Sequence, residues 1–431
     1  MQAIILAAGK STRTYPLTVT KPKPLLKIAN KTILEHNLEQ LALVKEINEV
    51  IIIIGYQKEQ IIDVIVNKYQ NEYKRNDFGK HAENFKIKNK IKLRYFEQKE
   101  QLGTGHALMQ VKDALHDRFI VMNGDDLFSG KDIAAAIKHR YAVLGAKVKE
   151  PSRFGIIVSH KKDDKNLVKE IVEKPKSFVG NIANTGLYVF DKKIFDFKLK
   201  KSSRGEFEII DYVNFLIEKE GVYAETVSDY WFSIGYPWDL LEANEFFVGK
   251  VTEGVNKSNG SASKNKINCE KEENVTIKGN ILVGKGTRLL SGTYIEGNVV
   301  IGENCKIGPN CYLRGSTSIG NNCHIGQAVE IKNSIIGDNS KIPHLSYIGD
   351  SVVGDGVNFG AGTITANLRH DNANIKSIVK DELVDSGRRK LGVIIADNVH
   401  TGIHTTLYPG RKLWPGTSTL PGEIVKKDKL S

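Results

Sequence analysis

Hydrophobic positions follow two different rules along this chain. In the first half, Ala3 to Leu6, Val50 to Ile54, Ile91 to Phe96, Phe119 to Met122 and Leu187 to Phe190 are short, largely apolar runs, the pattern of strands buried in a parallel or mixed sheet. Between them, Ile33 to Leu43, Lys58 to Tyr69 and Gly105 to Leu115 carry apolar residues three and four apart, which predicts amphipathic helices. Strands alternating with helices predict a doubly wound α/β domain. Residues 70–90 are highly polar and are expected to form a surface insertion between a helix and a strand.

Near residue 250 the rule changes. The stretch 250–274 is poor in large apolar residues and reads as a linker. Beyond it, Ile277, Val283, Leu289, Ile295, Ile301, Ile307, Leu313, Ile319, Ile325 and Ile331 stand six residues apart. The phase slips by one at Ile336, resumes through Ile342 and Ile348, and continues to Val353 and Phe359. Neither a helix nor a strand repeats every six residues. A hexapeptide period predicts a parallel β-helix, each coil laying three short strands on a prism with one aliphatic side chain inside per face. The expected organisation is an α/β domain over 1–249, a linker over 250–274 and a β-helix over 275–431.

A chain of 431 residues with formal charge +12 has too much material for one core and an affinity for anions. The basic residues are spread along the sequence without an aromatic-studded RNA-binding motif. No run of about 18 apolar residues occurs, and no signal-type segment precedes the first strand. These features exclude nucleic-acid and membrane partners, and lead to the expectation of a soluble, cytoplasmic protein acting on small polyanions. Cys305, Cys311 and Cys323 match no usual zinc or disulfide spacing and are expected to be thiols packed inside the repeat.

Candidate chemistry begins where the first strand ends. Leu6-Ala7-Ala8-Gly9-Lys10-Ser11-Thr12-Arg13 can turn backbone N–H groups toward a phosphate, with Arg13 and Lys23 adding mobile charge. It is neither a Walker loop nor a dinucleotide fingerprint. Together with Pro16 and Lys21-Pro22-Lys23-Pro24, this segment resembles the start of the sugar-1-phosphate nucleotidylyltransferases, which join a sugar phosphate to a nucleoside triphosphate and release pyrophosphate. The resemblance implies Leu6, Ala7, Ala8 and Gly9 at the nucleotide, with Arg13 and Lys23 as catalytic cations. Tyr95-Phe96-Glu97-Gln98 and Gln101-Leu102-Gly103-Thr104-Gly105 are similar to the family's base-binding segment, implying Gln98, Gly103 and Thr104 there. In Met122-Asn123-Gly124-Asp125-Asp126, Asp125 is the implied Mg²⁺ ligand, while Asp126 is expected to be solvated. Gly155, Glu173, Lys174 and Asn184 resemble the segments that hold the sugar. One departure concerns the metal: in Trp231-Phe232-Ser233-Ile234-Gly235, Ser233 stands where the family has a second metal-binding aspartate, and Asp229 or Asp239 are candidate substitutes.

Residues 314–367 resemble the acetyltransferase half of the bifunctional N-acetylglucosamine-1-phosphate uridylyltransferases, through Arg314, Val329-Glu330-Ile331-Lys332, Pro343-His344-Leu345-Ser346-Tyr347-Ile348-Gly349-Asp350 and Asn358-Phe359-Gly360-Ala361-Gly362-Thr363-Ile364-Thr365-Ala366-Asn367. The resemblance implies a left-handed coil and a homotrimer. An imidazole suits removal of a proton from an amine near neutral pH, which makes His344 the candidate base. Arg314 and Lys332 would bind the sugar phosphate, Tyr347 and Asn358 the sugar, and Asn367 the amine or acetyl carbonyl. Gly360, Ala361 and Gly362 would leave room for acetyl-CoA. Beyond Asn367 the likeness weakens: Leu368-Arg369-His370-Asp371 departs from it, and Ser386-Gly387-Arg388-Arg389-Lys390-Leu391-Gly392 is more similar to archaeal two-domain relatives. Arg388, Arg389 and Lys390 are either a phosphate contact or a solvated turn.

The expectation is a bifunctional enzyme that acetylates glucosamine 1-phosphate from acetyl-CoA and couples the product to UTP, with Mg²⁺. The rivals are a glucose-1-phosphate uridylyl- or thymidylyltransferase with an inert prism, and a non-catalytic regulatory subunit.

Overall fold

The computed structural model describes residues 1–69, 85–87, 91–162, 165–258, 266–267 and 269–431. The chain packs into two compact units. One comprises Met1–Lys10, Pro22–Leu25 and Ile33–Ser233, the other Ser11–Lys21, Leu26–Thr32 and Ile234–Ser431.

The first unit is built on a ten-stranded sheet. Its four central strands, Arg118–Asn123, Gln2–Ala7, Glu49–Ile54 and Ile91–Glu97, run parallel in that order. Along each, alternate side chains enter different cores: Ile5, Ile52 and Met122 lie on one face, Ile4, Ile51 and Val121 on the other. Burial on both faces is why the sequence shows apolar runs rather than alternation. Helices Ile33–Leu41 and Lys58–Tyr69 contribute Leu34, Leu38, Ile61 and Ile65 to the first core, and Ile209–Lys219 contributes Val213 and Leu216 to the second. The helix expected over Gly105 to Leu115 is divided into Thr104–Met109 and a 3₁₀ turn, Lys112–Ala114. The polar stretch 70–90 lies outside the described residues except for Phe85–Ile87, an antiparallel edge strand.

On the far side of the centre the sheet turns antiparallel, through Ile182–Asp191, Ala142–Lys147, Gly155–Lys162 and Lys165–Glu173. The last two are largely exposed and lysine-rich, so they leave no continuous apolar signal.

The second unit is a parallel sheet curled through 317°. Thr276 pairs with Tyr294 and Tyr294 with Tyr312, a spacing of 18 residues, or three hexapeptides per coil. Val283, Leu289, Ile295, Ile307, Ile331 and Phe359 meet inside one apolar core, where Cys305, Cys311 and Cys323 are also buried as free thiols. The phase slip at Ile336 has a simple cause. That coil is one residue shorter, so Ile319 pairs directly with Ile336 and the inward position is kept. Between the paired residues Val353 and Ile395 the chain makes a longer excursion that holds the hairpin Lys376–Val379 and Glu382–Asp385. In the stretch expected to be a linker, the helix Asp239–Ser258 continues past residue 250, and the short strands Lys266–Ile267 and Glu270–Lys271 already pair with coil strands. Residues 259–265 and 268 of that stretch lie outside the described residues.

One corner of the coil carries a polar ladder. The backbone N–H groups of Glu303, Asn321, Asp338 and Asp355 donate to the side-chain Oδ1 of Asn321, Asp338, Asp355 and Asp397, respectively, at 2.8–2.9 Å. The carboxylates also meet the Ser11–Lys21 and Leu26–Thr32 portions of the same unit. Lys21 Nζ lies 2.6 Å from Asp355 Oδ2 and 3.1 Å from Asp397 Oδ1, Thr20 Oγ1 donates to Asp397 Oδ2 at 2.6 Å, and Lys27 pairs with Asp338. Burial disfavours both charges, yet Asp355 and Asp397 raise Lys21 above its ordinary value, and Lys21 holds Asp355 below the usual carboxylate range. The ion pair therefore stabilises fully between the ordinary values of 3.8 and 10.5. Its contribution is lost as pH falls through the depressed Asp355 or rises through the raised Lys21. Asp355→Asn should lower the melting temperature at neutral pH by about 2–4 °C and converge with the parent in strong acid, as followed by circular dichroism.

Candidate functional site

The four parallel strands all end on the same edge of the first unit, and three of them deliver candidate residues there. This is where open α/β sheets bind ligands. Gln2–Ala7 leads into Ala8 and Gly9, Ile91–Glu97 into Gln98, and Arg118–Asn123 into Gly124 and Asp125. Neighbouring exits are tied together: Tyr56 N–H donates to Ala8 O, Gln98 N–H to Ile54 O and Gly124 N–H to Leu6 O. Gly124 is required by close packing, since a Cβ there would lie 2.7 Å from Leu6 O. At Gly9 the opposite holds, because a Cβ would meet no atom within 4 Å. The turn thus faces open space, as a phosphate-accepting loop needs.

Lys23 is buried and its Nζ lies 2.8 Å from Asp125 Oδ2, while the Asp125 side chain stays 36% exposed. The two residues singled out separately for phosphate and metal are therefore one ion pair. Asp126, expected to be solvated, is buried. It opens the strand Asp126–Phe128, which pairs antiparallel with Trp231–Ser233, and Asn37 Nδ2 donates to its carbonyl. Ser233 stands directly opposite Asp126 in that pair. The two candidate substitutes for the missing aspartate are engaged elsewhere. Asp229 accepts from Ser129 Oγ at 2.7 Å, and Asp239 accepts from Tyr236 N–H at 2.7 Å. Among the described residues no cluster of three or more His, Cys, Asp or Glu side chains forms a metal cage. A single carboxylate with room beside it still fits Mg²⁺, which commonly takes one or two carboxylates and completes its shell with water and substrate phosphates.

Gln98 is buried, and its amide nitrogen donates to Gly103 O at 3.1 Å and lies 3.0 Å from His106 Nδ1. The carbonyl of Gly103 can only accept, so it settles which end of the amide is nitrogen. His106, one turn into the helix Thr104–Met109, is a neighbour that the sequence reading missed. Gly103 has φ +103°, and a Cβ on it would lie 2.5 Å from Phe207 O. Thr104 Oγ1 is occupied structurally, accepting from Ile209 N–H at 3.1 Å. On the sugar side, Gly155 pairs with Glu173 across two strands, and a Cβ on Gly155 would approach Glu173 Oε2 to 2.9 Å and Asn184 Cβ to 3.9 Å. The structure thus brings Gly155, Glu173 and Asn184 together. Asn184 Nδ2 donates to Tyr188 Oη, whose titration burial pushes up to about 12. Lys174 is exposed with φ +43°.

Arg13 belongs to the second unit by packing. It sits in the 3₁₀ turn Thr12–Thr14, its guanidinium 5.9 Å from the Tyr236 ring centroid, and the Thr14 and Thr18 hydroxyls both donate to Ser11 O.

On the coil, Arg314, Lys332 and Gly349 are stacked in register on successive turns, as are Tyr312, Glu330 and Tyr347. The centre of this group is Asp350, only 2% exposed. Its Oδ2 accepts from Lys332 Nζ at 2.8 Å and Asn367 Nδ2 at 2.6 Å, and its Oδ1 accepts from Asn333 Nδ2 at 3.0 Å. Asn367 Nδ2 also donates to Tyr347 Oη at 3.0 Å. Arg314 pairs with Glu330 at 2.7 Å. Burial, together with the charges of Asp350 and Glu330, raises the Tyr347 phenol above its ordinary value. Sequence reading collected Arg314, Lys332, Tyr347 and Asn367 but not Asp350, although it closes the same quoted motif. His344 is exposed, across from Gln327 on the neighbouring coil, and Asn358 bridges Lys341 and His400.

The room expected beside Gly360 and Gly362 is filled by the next coil. A Cβ on Gly360 would lie 2.5 Å from Gly402, and one on Gly362 would lie 2.5 Å from His404 Nδ1. Open volume lies instead just beyond Asn367, in a cavity of about 690 Å³ with apolar walls at Ala366, Leu368, Ile375 and Tyr408 and cations at Arg369, Lys376, Arg411 and Lys426. Arg388 is committed to Glu245 at 2.6 Å, and Arg389 to Asn372 at 3.2 Å.

Comparison with known proteins agrees with both halves. Residues 2–249 match the nucleotidyl transferase family, and residues 295–407 match the GMPPB C-terminal domain. The chain is 40% identical over 426 residues to the bifunctional protein GlmU of Methanocaldococcus jannaschii, spanning 97% of this chain and 94% of that one. It is 42% identical over 426 residues to the bifunctional protein GlmU of Methanococcus maripaludis, with 98% and 93% spanned. A bifunctional sugar-1-phosphate nucleotidylyltransferase/acetyltransferase of Sulfurisphaera tokodaii is 36% identical over 435 residues, with 99% and 98% spanned. Matches of this identity over nearly whole chains, joined to a strand-end phosphate loop and a hexapeptide coil, mean that the chain belongs to the nucleotidyl transferase family, among its bifunctional nucleotidylyl- and acetyltransferases.

Proposed function

We propose that this chain makes UDP-N-acetylglucosamine in two steps, acetylating glucosamine 1-phosphate and then coupling the product to UTP. The observation that carries this reading is the presence of two complete sets of pre-paired cations, Lys23 with Asp125 in one unit and Lys332 with Asp350 in the other, each beside family-matched residues. A regulatory subunit needs neither, and an inert prism needs no such pair in register with Arg314 and bonded to Asn367.

For acetyl transfer, Arg314 and Lys332 hold the sugar phosphate, and Tyr347 and Asn358 orient the ring. Asn367 has spent its amide hydrogens on Tyr347 and Asp350, so its carbonyl oxygen remains to accept a hydrogen bond from the substrate amine. His344 takes the other proton as the amine nitrogen attacks the thioester carbonyl carbon; the C–S bond then breaks, and the proton held by His344 passes to the departing sulfur, so that CoA leaves as the thiol. Acetyl-CoA is placed in the cavity beyond Asn367, whose apolar wall suits the pantetheine arm and whose cations suit its phosphates, rather than against Gly360, Ala361 and Gly362.

For uridylyl transfer, the phosphate oxygen of N-acetylglucosamine 1-phosphate attacks the α-phosphorus of UTP and the bond to the β-phosphate breaks, releasing pyrophosphate. The turn from Leu6 through Ala7 and Ala8 to Gly9 offers its backbone to the triphosphate, with Arg13 and Lys23 stabilising the developing charge. Mg²⁺ held at Asp125 would neutralise charge between the phosphates. The Oε1 of Gln98 is an acceptor and matches the N3–H of uracil or thymine, beside Gly103 and Thr104. Glu173, Asn184 and Gly155 face the sugar hydroxyls and acetamide, with Lys174 at the phosphate. UTP and acetyl-CoA are cytoplasmic metabolites, which places the enzyme in the cytoplasm. The coil is read as a left-handed β-helix through which three subunits associate.

Purified protein given glucosamine 1-phosphate, acetyl-CoA, UTP and Mg²⁺ should release both CoA and pyrophosphate. His344→Ala should lower CoA release by about 10²- to 10⁴-fold and leave pyrophosphate release from preacetylated substrate unchanged. Pyrophosphate without CoA would reduce the coil to a scaffold, and neither product would make the chain a regulatory subunit. Light scattering should give three times the chain mass; a monomer would defeat the trimer.

A further inference from the structure

One corner of the coil is a stack of Gly297, Gly315, Asn333 and Asp350, which follow Glu296, Arg314, Lys332 and Gly349 in register on successive turns. All of them have positive φ, at +83°, +70°, +46° and +50°. The bonds that hold the corner are made by backbone: Asn333 N–H donates to Arg314 O, and Asp350 N–H to Lys332 O. A turn of this shape takes glycine or asparagine as readily as aspartate, so the coil does not demand a carboxylate at Asp350. Its side-chain neighbours use it instead.

Lys332 Nζ and Asn367 Nδ2 both meet Asp350 Oδ2, and Asn333 Nδ2 meets Oδ1. Asn333 is held from behind as well, because its Nδ2 also donates at 2.9 Å to Glu245 Oε1, which Arg388 grips too. The other neighbour of the Asn367 amide is the Tyr347 hydroxyl, which can donate or accept and so suits either end of an amide. A carboxylate paired with an ammonium can only accept. Asp350 therefore decides which end of the Asn367 amide is nitrogen, and leaves the carbonyl oxygen as the free end.

That choice matters to an amine. It attacks with its lone pair, so its hydrogens must meet acceptors and no donor can cap the pair. Turned over, Asn367 would present an N–H to the lone pair and hold the nucleophile unreactive. We propose that Asp350, in the acetyl-transfer site on whose assignment above this role rests, is a positioning residue that keeps the Asn367 carbonyl oxygen toward the substrate amine.

The full-length parent is first given glucosamine 1-phosphate and acetyl-CoA; if it releases no CoA, the acetyl-transfer reading fails and this role with it. With an active parent, Asp350→Asn tests the role alone. The substituted amide has one donor end, which Lys332 has no acceptor to meet and Asn333 cannot answer while it serves Glu245, so Asn367 is the neighbour that turns over. The kcat for CoA release should fall about ten- to a hundredfold. KM for acetyl-CoA should not change, nor should pyrophosphate release from N-acetylglucosamine 1-phosphate and UTP. Asp350→Asn/Asn367→Asp exchanges the two groups and returns a free acceptor oxygen to the amine, so it should recover most of the lost kcat; a merely structural Asp350 would not be rescued in this way. Asp350→Gly, which puts at this corner the residue found at Gly297 and Gly315, should show the same fall as Asp350→Asn. Unchanged kcat in Asp350→Asn or Asp350→Gly, or no recovery in the exchanged pair, would overturn the proposal, and the glycine variant decides it if the asparagine variants fail to fold.

Discussion

A coil of two- and three-residue strands can exist only if every turn closes the polar backbone of the turn before it. In this chain that constraint is met twice over, by N–H to carbonyl bonds between coils and by side chains at the corners. An unpaired buried N–H or C=O costs as much as a lost hydrogen bond, so the spacing, 18 residues in the first coils and 17 in the middle ones, cannot drift. Everything the coil presents outward inherits that spacing. Arg314 and Lys332 fall on adjacent turns because their backbones are in register, not because the two side chains attract.

The same register explains why acidic partners accompany the site cations. Stacking cations against a low-dielectric prism would leave each short of solvent, and a buried charge is tolerated only when paired. Asp350 for Lys332 and Glu330 for Arg314 are the pairs that result. Such pairing also sets geometry in advance. Under the proposed function, a phosphate arriving at Lys332 would meet an ammonium already fixed by a carboxylate, so less rotamer freedom would be lost on binding. The cost is competition, since the resident carboxylate and the incoming phosphate share one cation.

In the first unit the governing constraint is burial on both sheet faces. It aligns four parallel strands and so brings their ends to one edge, where residues far apart in sequence, Gly9, Gln98 and Asp125, become neighbours. Close approach at that edge needs glycine at Gly124, and the turn into Thr104–Met109 needs it at Gly103. The edge is closely packed at Gly103 and Gly124 and open at Gly9.

Patterns of period two, three to four, and six are local properties, and the sequence alone therefore determined the central strands, the helices Ile33–Leu41 and Lys58–Tyr69, the hexapeptide coil and the one-residue slip at Ile336. Short motifs also located most candidate residues, because Gly-rich turns and strand-end carboxylates carry their signal in adjacent letters. What only the tertiary structure decided are relations between distant letters. The antiparallel strands Gly155–Lys162 and Lys165–Glu173 are largely exposed and carry only short apolar runs, and so leave a weak apolar signature. Asp126 looks like any strand-end carboxylate until Trp231–Ser233 covers it. Gly360 and Gly362 read as space for a ligand until the next coil, some forty residues later, occupies it. Asp350, Asp355 and Asp397 are ordinary turn aspartates in sequence. Their roles appear only when coils stack, because what a carboxylate does depends on which cation folding places about 3 Å from it.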